Sequence, residues 1–162
     1  MFENNVNIAG EWISRVRRWN PQSDSYEPWI KLGEGKNLLT NGGRDYFHQQ
    51  DYSTTTSGGR GCNFVAVSQD TTTPLAADTT LAGEITTGGL ARKVADTITH
   101  TAATNTSQLI TTWTATASFS AVSKGGTFNA LGDGTLAHEF QFAPAALNVN
   151  DQLQLTNTFT MG

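Results

Sequence analysis

Catalysis and metal binding need particular side chains at particular spacings, and those were sought first. The histidines are His48, His100 and His138, and no two of them form an HxH or HxxxH pair that would put two imidazoles on one face. The carboxylates are scattered singly, so acids paired for glycoside hydrolysis would have to meet in space rather than along the chain. Gly33-Glu34-Gly35-Lys36 imitates a phosphate loop, but a P-loop needs four residues between its glycines and Ser or Thr after the lysine; Asn37 stands there. No serine lies in a GxSxG elbow. Cys62 is the single cysteine, which excludes an internal disulfide and a cysteine cage for zinc. Asn148-Val149-Asn150-Asp151 reads as a tight turn in preference to a calcium loop. Asn105-Thr106-Ser107 fits an N-glycosylation acceptor and reads more simply as a polar loop. We expect no catalytic residue, no metal ligand and no cofactor, and therefore not an enzyme.

A different chemistry is concentrated near the start. Trp12, Arg15, Arg17, Arg18, Trp19, Tyr26 and Trp29 fall within eighteen residues of one another. Tryptophan, tyrosine and arginine are the residue types enriched at binding hot spots. They are therefore candidate interface residues, with two readings open: contact with another molecule, or cover for an edge of this chain's own body. Recognition of RNA by interleaved arginines and aromatics ranks third, because the net charge is −4 and the pI about 5.2.

The elements that must position these residues are mostly strands. Thr makes up about a seventh of the 162 residues, and β-branched side chains suit the solvent face of a sheet. Leu109, Thr111, Trp113, Ala115, Ala117 and Phe119 alternate with polar residues. So do Leu147, Val149, Leu153, Leu155, Phe159 and Met161, the second set against Gln152, Gln154, Thr156, Thr158 and Thr160. Period-two patterns of this kind predict antiparallel strands with one face buried. Asn63–Ser68 predicts a strand buried on both faces, and Leu90–Thr101 and the pair Phe140 and Phe142 predict two more. Thr71–Asp78 reads as a loop and Thr80–Ile85 as one helical turn. Trp12–Trp19 is expected to be extended, Asn20–Asp24 a turn, and Tyr26–Leu32 a returning edge strand, because Pro28 lacks an N–H. A helix is expected over 38–50, capped by Asn37, with a loop over Ser53–Gly61. The expected fold is an Ig-like or jelly-roll-type antiparallel β-sandwich over 37–162, with an N-terminal ribbon arm over 1–36.

Several blocks also resemble a known group of proteins. Lys36-Asn37-Leu38-Leu39-Thr40-Asn41-Gly42-Gly43-Arg44-Asp45 resembles a segment common in tailed-phage structural proteins. Phe64–Ser68, Thr73–Ile85, Gly89–Arg92, Thr127–Ala130 and Leu147–Leu153 resemble companion segments in the same order. One departure is Asn150, where glycine is usual before the aspartate. The resemblance implies a virion structural protein. The expectation built on it is a capsid decoration (cement) protein that bridges coat subunits on the head surface. Its implied partners are the major capsid protein and further copies of itself, with a homotrimer suiting capsid three-fold positions. Neither membrane nor nucleic acid is an expected partner. Its place would be the virion, after synthesis in the host cytoplasm, since the N-terminus lacks a secretory pattern and no apolar run is long enough to span a bilayer. The alternatives are a tail-fibre, tail-tip or adaptor component contacting host or tail and, from another class, a carbohydrate-binding module that stacks sugars on Trp29 or Tyr52.

Overall fold

A computed structural model describes residues 8–52, 61–100 and 104–161. The loop expected over Ser53–Gly61 lies almost wholly outside them, as does the side chain of Tyr52. The described chain forms β1 (Ile8–Arg17), β2 (Trp19–Asn20), β3 (Ser25–Tyr26), β4 (Ile30–Leu39), helix α1 (Asn41–Tyr52), β5 (Phe64–Ser68), β6 (Lys93–Val94), β7 (Thr97–His100), β8 (Thr106–Thr114), β9 (Phe119–Phe128), β10 (Leu136–Leu147) and β11 (Gln152–Met161). Nine strands make one curled antiparallel sheet in the order β6-β5-β9-β10-β4-β1-β11-β8-β7. The protein is an all-β, jelly-roll-like sandwich. No helix among the described residues is long and apolar enough to cross a membrane.

The curl is made where β4 meets β10. Only Leu38 and Leu39 pair there, with Glu139 and His138, while β1 pairs with β11 along its whole length. The two halves of the sheet can then close over a shared core. That core takes Trp12 and Val16 from β1, Val65 and Val67 from β5, Phe140 and Phe142 from β10, Trp113 from β8, and Leu153 and Leu155 from β11. Trp12 stacks on Phe140 at 5.6 Å between ring centroids, an offset arrangement favoured by the ring quadrupoles.

A smaller cluster sits at one end of the sandwich. Ala66, Leu81, Phe128 and Leu136 are buried there with Phe64 against them. The Arg92 guanidinium lies 3.5 Å from the Phe128 ring centre, pairs with Glu84 at 2.5 Å, and donates to the Ala130 carbonyl at 3.2 Å. Asn41 N–H donates to the Ala76 carbonyl at 2.7 Å.

Several expectations need correction. The boundary at 36/37 falls inside β4, and the expected arm supplies two interior strands of the sheet. Residues 37–162 therefore do not form the sandwich by themselves. Pro28 precedes β4, which is not an edge strand. The helix begins at Asn41 and not at 38, because Leu38 and Leu39 are held in the β4–β10 ladder. Its cap is Thr40, whose hydroxyl accepts from Gly43 N–H at 3.0 Å. Thr80–Ile85 is not helical. Leu81 C=O accepts from Glu84 N–H at 3.2 Å across a β-turn, with Gly83 at φ +63°, the sign a type II turn requires. The alternation beginning at Leu109 holds to Ala115. The chain then turns, so Ala117 is exposed and Phe119 opens β9.

Gly43 packs directly on β10. A Cβ there would lie 2.2 Å from the Ala137 carbonyl oxygen, whereas one on Gly42 would meet only a Thr135 methyl at 3.3 Å. Alanine normally stabilises a helix interior by about 1 kcal/mol over glycine. Gly43→Ala is expected to reverse that sign, with a net loss of about 2 kcal/mol from backbone overlap, while Gly42→Ala stays near neutral. Urea unfolding of the two variants checks this, and equal effects would sink the close-approach argument.

Candidate functional site

Alternation along β1 sorts the predicted interface residues. Even positions Trp12, Ser14 and Val16 face inward; odd positions Ile13, Arg15 and Arg17 face the outer surface. Trp12 is 7% exposed and belongs to the core, so it is unavailable to a partner. Its indole leans over Gly33 and Gly35 of β4, where an added Cβ would press on the ring at 3.1–3.2 Å. Sequence proximity grouped Trp12 with the arginines, and strand parity separates them.

The remaining residues are brought together at one end of the outer face. Asn20 Oδ1 accepts from Gln22 and Ser23 N–H groups, and Asp24 takes φ 49°, which closes the expected turn and folds β2 and β3 into a short hairpin. Trp19 and Tyr26 meet edge to face at 4.9 Å across that hairpin. The Arg17 guanidinium lies 4.2 Å from the Tyr26 ring centre and 4.5 Å from that of Trp29. Its Nε donates to Gln152 Oε1 at 2.8 Å. Arg15 reaches Gln154 Oε1 at 3.5 Å, the limit of a hydrogen bond. Gln152 and Gln154 in turn donate to Thr114 and Thr112, giving a polar ladder across β11 and β8. The Trp19, Tyr26 and Trp29 rings stay partly exposed.

Arg18 does something else. It bridges the joint between β1 and β2 to the turn between β10 and β11, donating to Asp151 Oδ2 and the Ala146 carbonyl, both at 2.6 Å. Asp151 also accepts from Trp19 N–H at 3.0 Å and Asn148 N–H at 2.9 Å. Burial opposes its ionisation, but these donors outweigh that and hold its carboxyl below the usual range. Asn148–Asp151 is the expected tight turn, with Asn150 at φ 71°, a left-handed conformation that asparagine and glycine adopt more readily than other residues.

Other candidate residues are placed elsewhere. His48 lies on α1, and its side chain is outside the described residues. His100 is exposed on β7. Burial pushes the Cys62 thiol up to about 12, so it stays protonated at neutral pH. His138 is buried between Phe159 and Phe47, its Nδ1 3.1 Å from Thr127 Oγ1 and its Nε2 without a partner; burial lowers it to about 4.

A charged cluster escaped sequence reading altogether. Lys124, 1% exposed, pairs with Asp70 at 2.5 Å and Glu139 at 3.3 Å and donates to Thr72 Oγ1 at 3.0 Å. Burial, reinforced by the neighbouring Asp78 carboxylate and opposed by Lys124, raises Glu139 to about 7. Apart from Lys124 Nζ, 3.3 Å from Oε1, an ionised Glu139 has no donor among the described residues. The protonated acid can donate to Asp78, which resolves that deficit. Gln141 donating to Thr71 C=O and Ser123 donating to Asp70 C=O complete the attachment of the 70–78 loop. No group of described residues has the makings of a metal site.

Fold and site together define a class: an all-β sandwich carrying an ordered cationic and aromatic patch on an otherwise polar sheet face. No family model, curated protein or solved structure matches the chain.

His138 and Glu139 give opposed pH effects. The depressed His138 stabilises the fold above 6.5 and loses that contribution as pH falls toward 4; the raised Glu139 stabilises it below 4.5 and loses its contribution as pH rises toward 7. Stability should therefore be nearly level between pH 4.5 and 6.5. In Glu139→Gln only the histidine term remains, and stability should climb by about 2 kcal/mol across that window. Urea titrations at several pH values measure it, and a level profile in the variant would refute the assignment.

Asp151→Ala strips two backbone N–H groups and Arg18 of their acceptor. A loss of about 3 kcal/mol is expected, with a change in tryptophan fluorescence as the hairpin is released. Unchanged fluorescence and stability would show that the carboxylate does not hold the hairpin.

Proposed function

We propose that this chain is a structural component of a tailed-phage virion, and that it decorates the head shell by bridging coat subunits. One observation carries the reading. Five of the six segments that resemble phage structural proteins pack on one another, and the sixth, Leu147–Leu153, forms the turn that Asp151 ties to the hairpin. The 36–45 block is tied to the 73–85 block through Asn41 and Ala76. The 89–92 block is tied to 73–85 and 127–130 through Arg92. The 64–68, 73–85 and 127–130 blocks share the small core of Ala66, Leu81 and Phe128. Unrelated matches scattered along a chain have no reason to assemble into one packed unit.

The aromatic and arginine patch supplies the adhesive surface. It lies beside the Leu147 end of β10, while the packed unit lies at the Leu136 end, up to ~35 Å away along the strand. One end thus carries most of the resemblance, and the other carries the contact residues beside the Leu147–Leu153 segment. Burying such aromatic and arginine anchors against two neighbouring shell subunits would resist their separation, and repetition over a lattice multiplies weak contacts.

The rival within this reading is a tail location; the rival outside it is carbohydrate binding, favoured by the Gln–Thr ladder beside partly exposed aromatics. Quantifying the protein in purified virions against the coat protein decides location. Copies comparable in number to coat subunits are expected; a handful per particle would overturn decoration in favour of the tail. Specific retention on a glycan array together with no affinity for heads would favour the carbohydrate reading instead.

A further inference from the structure

The patch also indicates what chemistry its partner brings, an inference that rests on reading it as an interface. Arg17 is unusually restrained for a surface arginine. Tyr26 and Trp29 cover it at 4.2 and 4.5 Å, and its Nε is committed to Gln152. Its two terminal nitrogens have no acceptor among the described residues. A guanidinium held in this way offers a planar two-pronged donor whose ordering is already complete in the free protein. Arg15, two residues along the same face and so ~7 Å away, adds a second cation held only by its long contact to Gln154. The other nearby cations are neutralised: Arg18 by Asp151 and Lys31 by Glu34. Trp29 and Tyr26 set apolar rings beside the fork.

We propose that the occupant is a side-chain carboxylate of a different protein, seated bidentately on the terminal nitrogens of Arg17, with an adjacent apolar residue of that protein against Trp29. A carboxylate matches a single planar fork in shape and charge. A nucleic-acid backbone would need a longer run of cations than two, on a chain that carries net −4. Arginine beside Tyr and Trp is a combination of residue types enriched at protein–protein contacts.

The test uses full-length protein with labelled arginine side chains and three blocked peptides: GLDFG, GLNFG, and a phosphoserine version of the same peptide. Saturable shifts of the Arg17 terminal nitrogen signals are expected with GLDFG and none with GLNFG. Arg17→Lys, which keeps the charge but loses the fork, should weaken GLDFG binding ~tenfold or more. Gln152→Glu, which places an internal carboxylate beside the guanidinium, should also weaken it and guards against a folding defect in the lysine variant. No Arg17 shift with GLDFG, equal shifts with GLNFG, or tighter binding of the phosphopeptide would overturn the proposal. Arg17-dependent self-association would overturn it too, in favour of a second copy. Virions carrying Arg17→Lys separate the two readings. Full incorporation despite peptide binding counts against this patch as the capsid contact and leaves the carboxylate inference standing. Lost incorporation without peptide binding does the reverse.

Discussion

The structure depends on the alternation of one strand. β1 lies between β4 and β11, so its inward residues must fill the core and its outward residues must face solvent. Trp12 satisfies the first demand by stacking on Phe140, and Arg15 and Arg17 satisfy the second. A one-residue slip would bring two guanidinium groups into the core and push an indole out, at a cost no surface contact could offset. The register that builds the sandwich therefore also builds the patch.

Two carboxylates show how polar groups are used around this frame. Asp151 gathers one guanidinium and two backbone N–H groups, and in doing so joins the β10–β11 turn to the start of the hairpin. Its ionised form is the useful one. Glu139 is used in the opposite sense: buried beside Lys124 and Asp78, it holds its proton to near neutrality. Both attach loops to the sheet, one through charge and one through a retained proton.

The period-two patterns made the strand-rich character legible, and Asn20–Asp24 and Asn148–Asp151 were legible as turns because their residue types favour local side-chain hydrogen bonds and left-handed backbone. The ends of elements were less so. Leu38 and Leu39 fit a helical spacing, yet pairing with Glu139 and His138 holds them extended. Thr80–Ile85 carried a helix-like apolar spacing, and Gly83 turned it. Within the candidate site, residue types marked the stretch of chain that the hairpin gathers but could not separate Trp12 from its neighbours by type alone. The β1 alternation could have done so had it been compared with that of Gln152 and Gln154.

What the sequence determined by itself is what depends on near neighbours: alternating faces, turn chemistry, and a concentration of arginine and aromatic residues before position 30. What only the tertiary structure decided is what depends on distant partners. It placed the N-terminal segment inside the sheet, sandwiched Arg17 between Tyr26 and Trp29, and drew Lys124, Asp70 and Glu139 into one buried cluster. The physical reason is that a strand has no inherent neighbours. Its hydrogen bonds and its desolvation are supplied by other segments, for β1 by β11 more than a hundred positions away, and no local pattern specifies which ones arrive.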